Sequence, residues 1–146
     1  LGRSLKLSVK VSEKENVRWI DDEIVIQSKC PEDSLYNQKL FYKKFSPMIE
    51  RVFRSLLDEQ GGDDVTLKIR DMKRRWGTCF VGRNTIQLNK RLIHAPRELI
   101  SYVIIHELVH FSQPHHGSSY YVALSEKLPD WKNLKKELNG VYGSYL

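Results

Sequence analysis

The sequence is poor in residues that crosslink a chain. Its 146 residues include only two cysteines, Cys30 and Cys79, which are too few for the disulfide framework of a small secreted domain. The fold must therefore rest on a buried apolar core. Since the start of the sequence also lacks a secretory hydrophobic segment, we expect a cytoplasmic protein.

Long hydrophobic runs are absent as well. No apolar stretch approaches the roughly 20 residues that a membrane-spanning helix needs, so we expect no membrane partner. A chain of 146 residues has the length of one ordinary domain. We expect a single domain over 1–146, with a β meander in 1–33, helices in 34–62 and the chemistry in a core over 63–146.

Acidic residues are scarce in one part of the chain. The formal net charge is +6, and between Lys68 and Arg97 nine basic residues accompany a single acid, Asp71. Such a segment can be a footprint for nucleic acid or for an acidic substrate. A solvated face, or arginines paired with structural carboxylates, is the commoner outcome and the one we favour. The nine are Lys68, Arg70, Lys73, Arg74, Arg75, Arg83, Lys90, Arg91 and Arg97.

The periods of the apolar residues predict the elements. Alternation at 5–11, 17–20 and 23–27 predicts three strands in an antiparallel meander. From Ser34 the spacing becomes helical, and Pro47 either starts a second helix or marks a kink. Gly61-Gly62 ends that helical segment.

Strands and helices are mixed in the remaining part. Strands are predicted at 65–69, 78–81 and 85–89, the last two joined as a hairpin by Gly82-Arg83-Asn84. Helices are predicted from Pro96 to about Gln113, from Ser118 to about Lys127, and from Pro129 until just before Gly140. The first of these is apolar nearly all round, which is typical of a buried helix.

That buried helix carries the motif His106-Glu107-Leu108-Val109-His110. Positions i and i+4 share one helix face, so the imidazoles of His106 and His110 can meet at one point. Glu107 can reach a water at that point without being a ligand, as in HExxH zinc hydrolases. The motif therefore predicts a zinc site with Glu107 as the catalytic base.

A third ligand must come from beyond the helix. Pro114 cannot continue the hydrogen-bond ladder, and Gly117 is free to make a turn. His116, ten residues after His106, is the preferred third ligand because related motifs share this spacing. The other candidates are His115, then the more distant His94 and Glu126, and the thiolate of Cys79.

Several separated motifs resemble those of the YgjP-type metal-dependent hydrolases, relatives of the SprT-like and WLM zinc peptidases. The matching segments are Arg75-Trp76-Gly77-Thr78-Cys79, Ile86-Gln87-Leu88-Asn89, Leu92-Ile93-His94-Ala95-Pro96, Tyr102 to His110, and Pro129-Asp130-Trp131. The family pattern has serine where Thr78 stands. It also has Asn-His-Ser followed by Phe-Trp where this chain has His115-His116-Gly117 and then Tyr120-Tyr121.

The resemblance implies a zincin-like α+β fold with an antiparallel sheet beside the HExxH helix. It further implies bound zinc and peptidase chemistry on a peptide or protein substrate, with His116 in the ligand position. For substrate binding and oxyanion stabilisation, Asn89, Tyr120 and Tyr121 are candidates without a ranking. A strand just before the metal helix could also hold an extended peptide by backbone pairing.

Two related classes are excluded by particular residues. Metzincins have a glycine where Gln113 stands and a methionine turn downstream, whereas Met48 and Met72 both lie upstream. Three-histidine RNA-processing metalloproteins of the YbeY type lack a glutamate at the position of Glu107. Two other functions stay open: a nucleic-acid-associated metalloprotein that uses the basic 68–97 segment, and a non-catalytic, zinc-stabilised interaction domain.

Overall fold

A computed structural model describes residues 4–146. The chain divides near Glu50 into an N-terminal unit and a second unit that begins at Arg51. The prediction of a single domain over 1–146 stays a prediction. Within the described residues, no helix is both long and apolar enough to cross a bilayer.

The N-terminal unit contains a three-stranded sheet. Its strands are β1 (Lys6–Val11), β2 (Asn16–Ile20) and β3 (Glu23–Ser28), in the order β1-β3-β2. β2 and β3 form an antiparallel hairpin through Asp21, whose φ of 50° is left-handed. β1, however, pairs in parallel with β3. The predicted antiparallel meander is therefore wrong, because β3 takes the centre of the sheet and buries Ile24 and Ile26.

One long helix follows this sheet. Helix α1 (Ser34–Glu59) runs through Pro47 without a break, so the proline does not start a second helix. Asp33 Oδ1 accepts a hydrogen bond from the Tyr36 N–H and caps the first turn. The helix ends where the Gly61 N–H bonds to the Asp58 carbonyl and Gly61 takes a positive φ of 78°.

The second unit contains a sheet of β4 (Thr66–Arg70), β5 (Gly77–Phe80) and β6 (Thr85–Asn89). The order is β4-β6-β5. β5 and β6 form the predicted antiparallel hairpin, with Asn84 left-handed in the turn. β4 is parallel to β6, so the expected antiparallel sheet is mixed. The α+β class is confirmed.

Helix α2 (Arg97–Val109) is the centre of the second unit. It contacts β5, β6 and the two later helices, α3 (Ser118–Lys127) and α4 (Trp131–Val141). Its buried residues are Leu99, Ile100, Tyr102, Val103, Ile104, Ile105, Glu107 and Val109. This nearly all-round burial confirms the expectation from its apolar sequence.

Helix α2 ends earlier than its sequence suggests. The sequence predicts an end at Gln113, but the amides of His110, Phe111 and Ser112 each bond to the carbonyl three residues before. These tighter bonds form the final turn. His110 therefore lies at the C-cap of α2, immediately before the chain turns back.

Candidate metal centre

Three histidines converge at the carboxyl end of α2. His106, His110 and His116 each bring one ring nitrogen into a group whose members lie within 4.8 Å of one another. The Nε2 atoms of His106 and His116 are 3.2 Å apart. The helix places the first pair, and the turn that closes with Gly117 N–H on the His115 carbonyl brings the third.

The donor set fits a divalent cation. Two Nε2 atoms at 3.2 Å cannot both carry a proton, so at least one lone pair points into the centre. Ligand atoms about 2.0–2.1 Å from a tetrahedral zinc ion lie roughly 3.3 Å from one another, which matches this separation. His110 Nδ1 lies 3.1 Å from the Gln113 carbonyl oxygen, an arrangement that leaves Nε2 of His110 as the ligand.

Burial keeps the imidazoles in the form that binds metal. It lowers the pKa of His106 to about 4, and the neighbouring His110 and His116 add to that shift. Burial also lowers the pKa of His116. Since only a neutral imidazole can be a ligand, both rings are held in the competent state.

Tyr120 packs against the three imidazoles. Its side chain is fully buried, and its ring centroid lies 5.3, 4.7 and 4.6 Å from those of His106, His110 and His116. The hydroxyl donates to the His106 carbonyl at 3.0 Å. Tyr120 therefore contacts the ligands from inside the protein, and its contact with a substrate stays a prediction.

Asn89 is likewise an internal residue. Its side chain is fully buried, and Nδ2 donates to the carbonyls of Met72 and Arg75 at 2.7 and 3.0 Å. Its Oδ1 accepts from the Arg91 amide at 3.2 Å. Both amide protons are thus engaged by the backbone, and a contact of Asn89 with a substrate stays a prediction.

Glu107 lies beside the histidines in a close fit against β5. It is 5% exposed, and burial raises the pKa of its carboxyl to about 7, although the Cys79 backbone N–H and the charge of Arg75 lower it in part. A Cβ at Gly77 would stand 2.6 Å from Glu107 Oε1. Only glycine at this position lets the carboxylate approach the strand so closely.

A cleft of about 330 Å³ opens over Glu107, His106 and His116. Tyr121 lines it, 36% exposed and with its ring stacked on Trp131 at 5.2 Å. Tyr121 is therefore the predicted substrate residue that the structure brings to the site. Five further polar or aromatic residues line the cleft that the sequence did not assign to the site, and these are Arg75, Trp76, Tyr102, Lys135 and Asn139.

Those missed residues had weak signals in the sequence. Arg75 and Trp76 belong to a matching motif without any assigned role, whereas Lys135 and Asn139 are four apart in α4 and so share one helix face.

Tyr102 lines the cleft as a neutral phenol. Burial, and then the charge of Glu107, raises the pKa of Tyr102 to about 12, which keeps its hydroxyl protonated.

The alternative ligands all lie outside the cluster. His115 and Glu126 are exposed, and the ring of His94 stacks on Tyr145 at 5.0 Å. Burial, with a further contribution from Glu107, raises the pKa of the half-buried Cys79 thiol to about 11, so it is not a ready thiolate ligand. Among the described residues, the convergent set is His106, His110 and His116.

The basic segment is partly neutralised by structural pairs. Asp71 forms ion pairs with Lys90 at 2.9 Å and Arg91 at 3.0 Å, and Arg97 pairs with Glu59. These pairs match the favoured alternative of arginines bonded to structural carboxylates. Nucleic-acid binding stays a prediction.

The fold and the site together define a zincin-like metallopeptidase domain. The structure resembles that of the metallopeptidase zymogen of Pyrococcus abyssi abylysin, with a TM-score of 0.53 and 23% identity over 63% of this chain and 92% of that one. The metallopeptidase zymogen of Methanocaldococcus jannaschii jannalysin has a TM-score of 0.47 and 22% identity, over 60% of this chain and 89% of that one. At these identities the first match shows the fold alone.

The family is shown by the sequence. The profile of the YgjP-like metallopeptidase domain matches residues 1–140, and the chain belongs to this family. It is thus a metal-dependent peptidase domain, as the resemblance implied. No match is found among curated proteins.

Proposed function

We propose that the chain is a zinc-dependent peptidase in which His106, His110 and His116 hold the ion and Glu107 is the general base. The observation that carries this proposal is the convergence of three histidine nitrogens within 4.8 Å of one another, next to a buried carboxylate in an open cleft. Three imidazoles and an open position are typical of a catalytic zinc site.

A zinc ion held by His106, His110 and His116 would polarise a substrate carbonyl and lower the pKa of a water. Glu107 takes a proton from the attacking water and later delivers it to the leaving amine. Burial raises the pKa of this carboxyl to about 7, and a bound cation would lower it, which favours the ionised form that accepts a proton near neutral pH. The Cys79 N–H and the space left by Gly77 hold that carboxylate in place.

We expect the substrate backbone to bind along β5, the strand next to Glu107. β5 is an edge strand of its sheet, it contacts α2, and Gly77 at its start lines the cleft. An extended peptide along this edge would bring its carbonyl to the histidines while contributing little side-chain discrimination. Tyr121, on the cleft wall, is the residue proposed to contact the substrate.

Comparing two glutamate variants tests this function. We expect the Glu107→Gln variant to bind zinc normally and to lose at least about 100-fold in the cleavage of casein, since the base is removed and the ligands stay. Glu126→Gln is the matched control, because Glu126 is exposed and outside the histidine cluster. Metal content is measured by mass spectrometry, and cleavage by release of peptides.

Each outcome has a distinct meaning. Cleavage by Glu107→Gln at the wild-type rate would remove the general base from the mechanism. Full activity with another divalent metal and none with zinc would overturn the identity of the ion. A zinc-loaded wild type that cleaves neither casein nor peptides would contradict the proposal as a whole.

A further inference from the structure

Two positive side chains border the cleft next to the reacting groups. Arg75 comes from the loop before β5 and Lys135 from α4, and both line the same cavity as His106, Glu107 and His116. Among the residues that line this cavity, Glu107 is the one acid. The proposed mechanism gives neither cation a contact with the substrate, although the charge of Arg75 contributes to the pKa of Glu107.

Neither cation is part of a structural ion pair. Over residues 4–146, the ion pairs of the basic segment involve Lys90, Arg91 and Arg97, and no carboxylate pairs with Arg75 or Lys135 within 4.0 Å. Arg75 and Lys135 therefore have no carboxylate partner of their own and can bind an anion in the cleft.

Hydrogen bonds fix the backbone elements that carry the two cations. Asn89 bonds to the Arg75 carbonyl at 3.0 Å, which fixes the loop from the side of β6. On the opposite wall, Trp76 Nε1 donates to Asn139 Oδ1 at 3.4 Å and joins that loop to the helix face that carries Lys135. Both side chains therefore start from backbone positions on the two walls of the same cleft.

We propose that Arg75 and Lys135 bind a carboxylate of the substrate, so that the enzyme prefers peptides with an acidic side chain or a free C-terminus close to the cleaved bond. This inference rests on the proposed peptidase function. A guanidinium can bind a carboxylate through two parallel hydrogen bonds, and an ammonium adds a point charge. The aromatic and aliphatic lining supplied by Trp76 and Leu138 would contact the peptide between charge and cleavage point.

The expected preference is moderate. Both cations are exposed, and water and salt weaken exposed ion pairs. We expect an acidic peptide to bind roughly tenfold more tightly than its neutral counterpart. This ratio should fall when the salt concentration is raised.

Binding to an inactive enzyme provides the test. The full chain carrying Glu107→Gln is loaded with zinc and titrated calorimetrically with alanine-based hexapeptides, in which one Asp is moved along the sequence. Each peptide is matched by one with Asn in that position. A second arm compares free and amidated C-termini, and so distinguishes a side-chain carboxylate from a terminal one. The same peptides are then offered to the zinc-loaded wild type, and products are identified by mass spectrometry.

Neighbouring residues provide matched controls. Arg75→Gln and Lys135→Gln, alone and together, should reduce the acidic preference towards unity. Arg74→Gln and Lys136→Gln remove the same charges from adjacent exposed positions outside the cleft and should preserve the preference. Circular dichroism checks that the double variant is folded, and if it is not, the single variants carry the test.

The outcomes separate this inference from the function on which it rests. Equal binding of Asp and Asn peptides, or a preference that survives in a folded Arg75→Gln/Lys135→Gln variant, overturns the carboxylate site while peptide cleavage remains. Equal losses in the control variants overturn it too, since a general charge effect would then explain the preference. If the wild type cleaves no peptide and no casein, the peptidase proposal fails and the inference fails with it.

Discussion

At the residue scale, one glycine determines how close the sheet comes to the general base. Gly77 leaves the space that Glu107 occupies, and a methyl group there would overlap the carboxylate at 2.6 Å and its Cγ at 2.8 Å. The atoms in conflict belong to the Glu107 side chain and not to a backbone. A methyl group at Gly77 would therefore displace the Glu107 side chain and leave β5 in position.

Gly77→Ala should impair turnover without unfolding the protein. Since a displacement of about 1 Å from the reacting geometry can cost around 100-fold in rate, we expect kcat to fall by roughly that factor, with unchanged zinc content and melting temperature. Steady-state kinetics on a cleaved peptide measure this. Gly82→Ala is the control, because a Cβ at Gly82 meets nothing within 4 Å; equal effects of the two substitutions would contradict the argument.

Cys79 should be slow to alkylate in the native protein. A pKa raised to about 11 leaves roughly 0.3% thiolate at pH 8.5, and the thiolate is the reacting species. The iodoacetamide rate should rise about tenfold per pH unit until the pH approaches 11. Peptide mapping over time gives the rate, with the exposed Cys30 as internal reference. In denaturant the two cysteines should react alike, and comparable rates in the native protein would refute the shift.

At the scale of elements, the loop between β4 and β5 is held by hydrogen bonds and ion pairs. Asn89, at the end of β6, bonds to the carbonyls of Met72 and Arg75. Asp71 pairs with Lys90 and Arg91 at the loop's beginning. The loop that carries Arg75 and Trp76 on the cleft wall thus depends on the side chain of Asn89, which does not line the cleft.

Asn89→Ala should destabilise the protein strongly. It leaves the carbonyls of Met72 and Arg75 and the amide of Arg91 without their partner in partly buried bonds, and unsatisfied buried groups cost about 1–3 kcal/mol each when water cannot replace the bond. We expect a loss of about 2–4 kcal/mol in the free energy of unfolding, measured by urea titration. Asn133→Ala, in an exposed position, should change this free energy by less than about 1 kcal/mol. A loss of less than about 1 kcal/mol for Asn89→Ala as well would contradict the role of Asn89 in holding the loop.

The sequence predicted the features that depend on residues close together in the chain. The i, i+4 histidines, the hairpin at Asn84 and the all-round apolar character of α2 follow from spacing or turn chemistry within a few residues. The position of β3 between β1 and β2 depends on pairing partners that no local pattern specifies. The same holds for Asn89 and Tyr120, because polar side chains within a site motif can point outward to substrate or inward to backbone carbonyls.

At the scale of the whole molecule, metal binding should be coupled to stability. The three ligands come from the end of α2 and from the turn before α3, so an ion bound by them joins two elements that the chain must bring together. A ligand that binds only the folded state raises its stability by about 2.7 kcal/mol at 100 times the dissociation constant. Stability should consequently respond to zinc and to chelators.

A thermal unfolding series tests this coupling. Zinc should raise the melting temperature of the wild type by roughly 5–10 °C, and a chelator should reverse the shift. His116→Ala should lose most of the response, whereas His115→Ala, which removes the exposed neighbour, should retain it. A full response in His116→Ala would exclude His116 as a ligand.

The early end of α2 has an electrostatic consequence. The peptide dipoles of its 13 residues are aligned and sum to a partial negative charge of about half an electron at the carboxyl terminus. That terminus lies at His110, next to three imidazoles that are themselves uncharged when they bind metal. The backbone field therefore favours a cation in this position by about 0.3–1 kcal/mol, and attraction for positive charge is built into the helix before any side chain contributes.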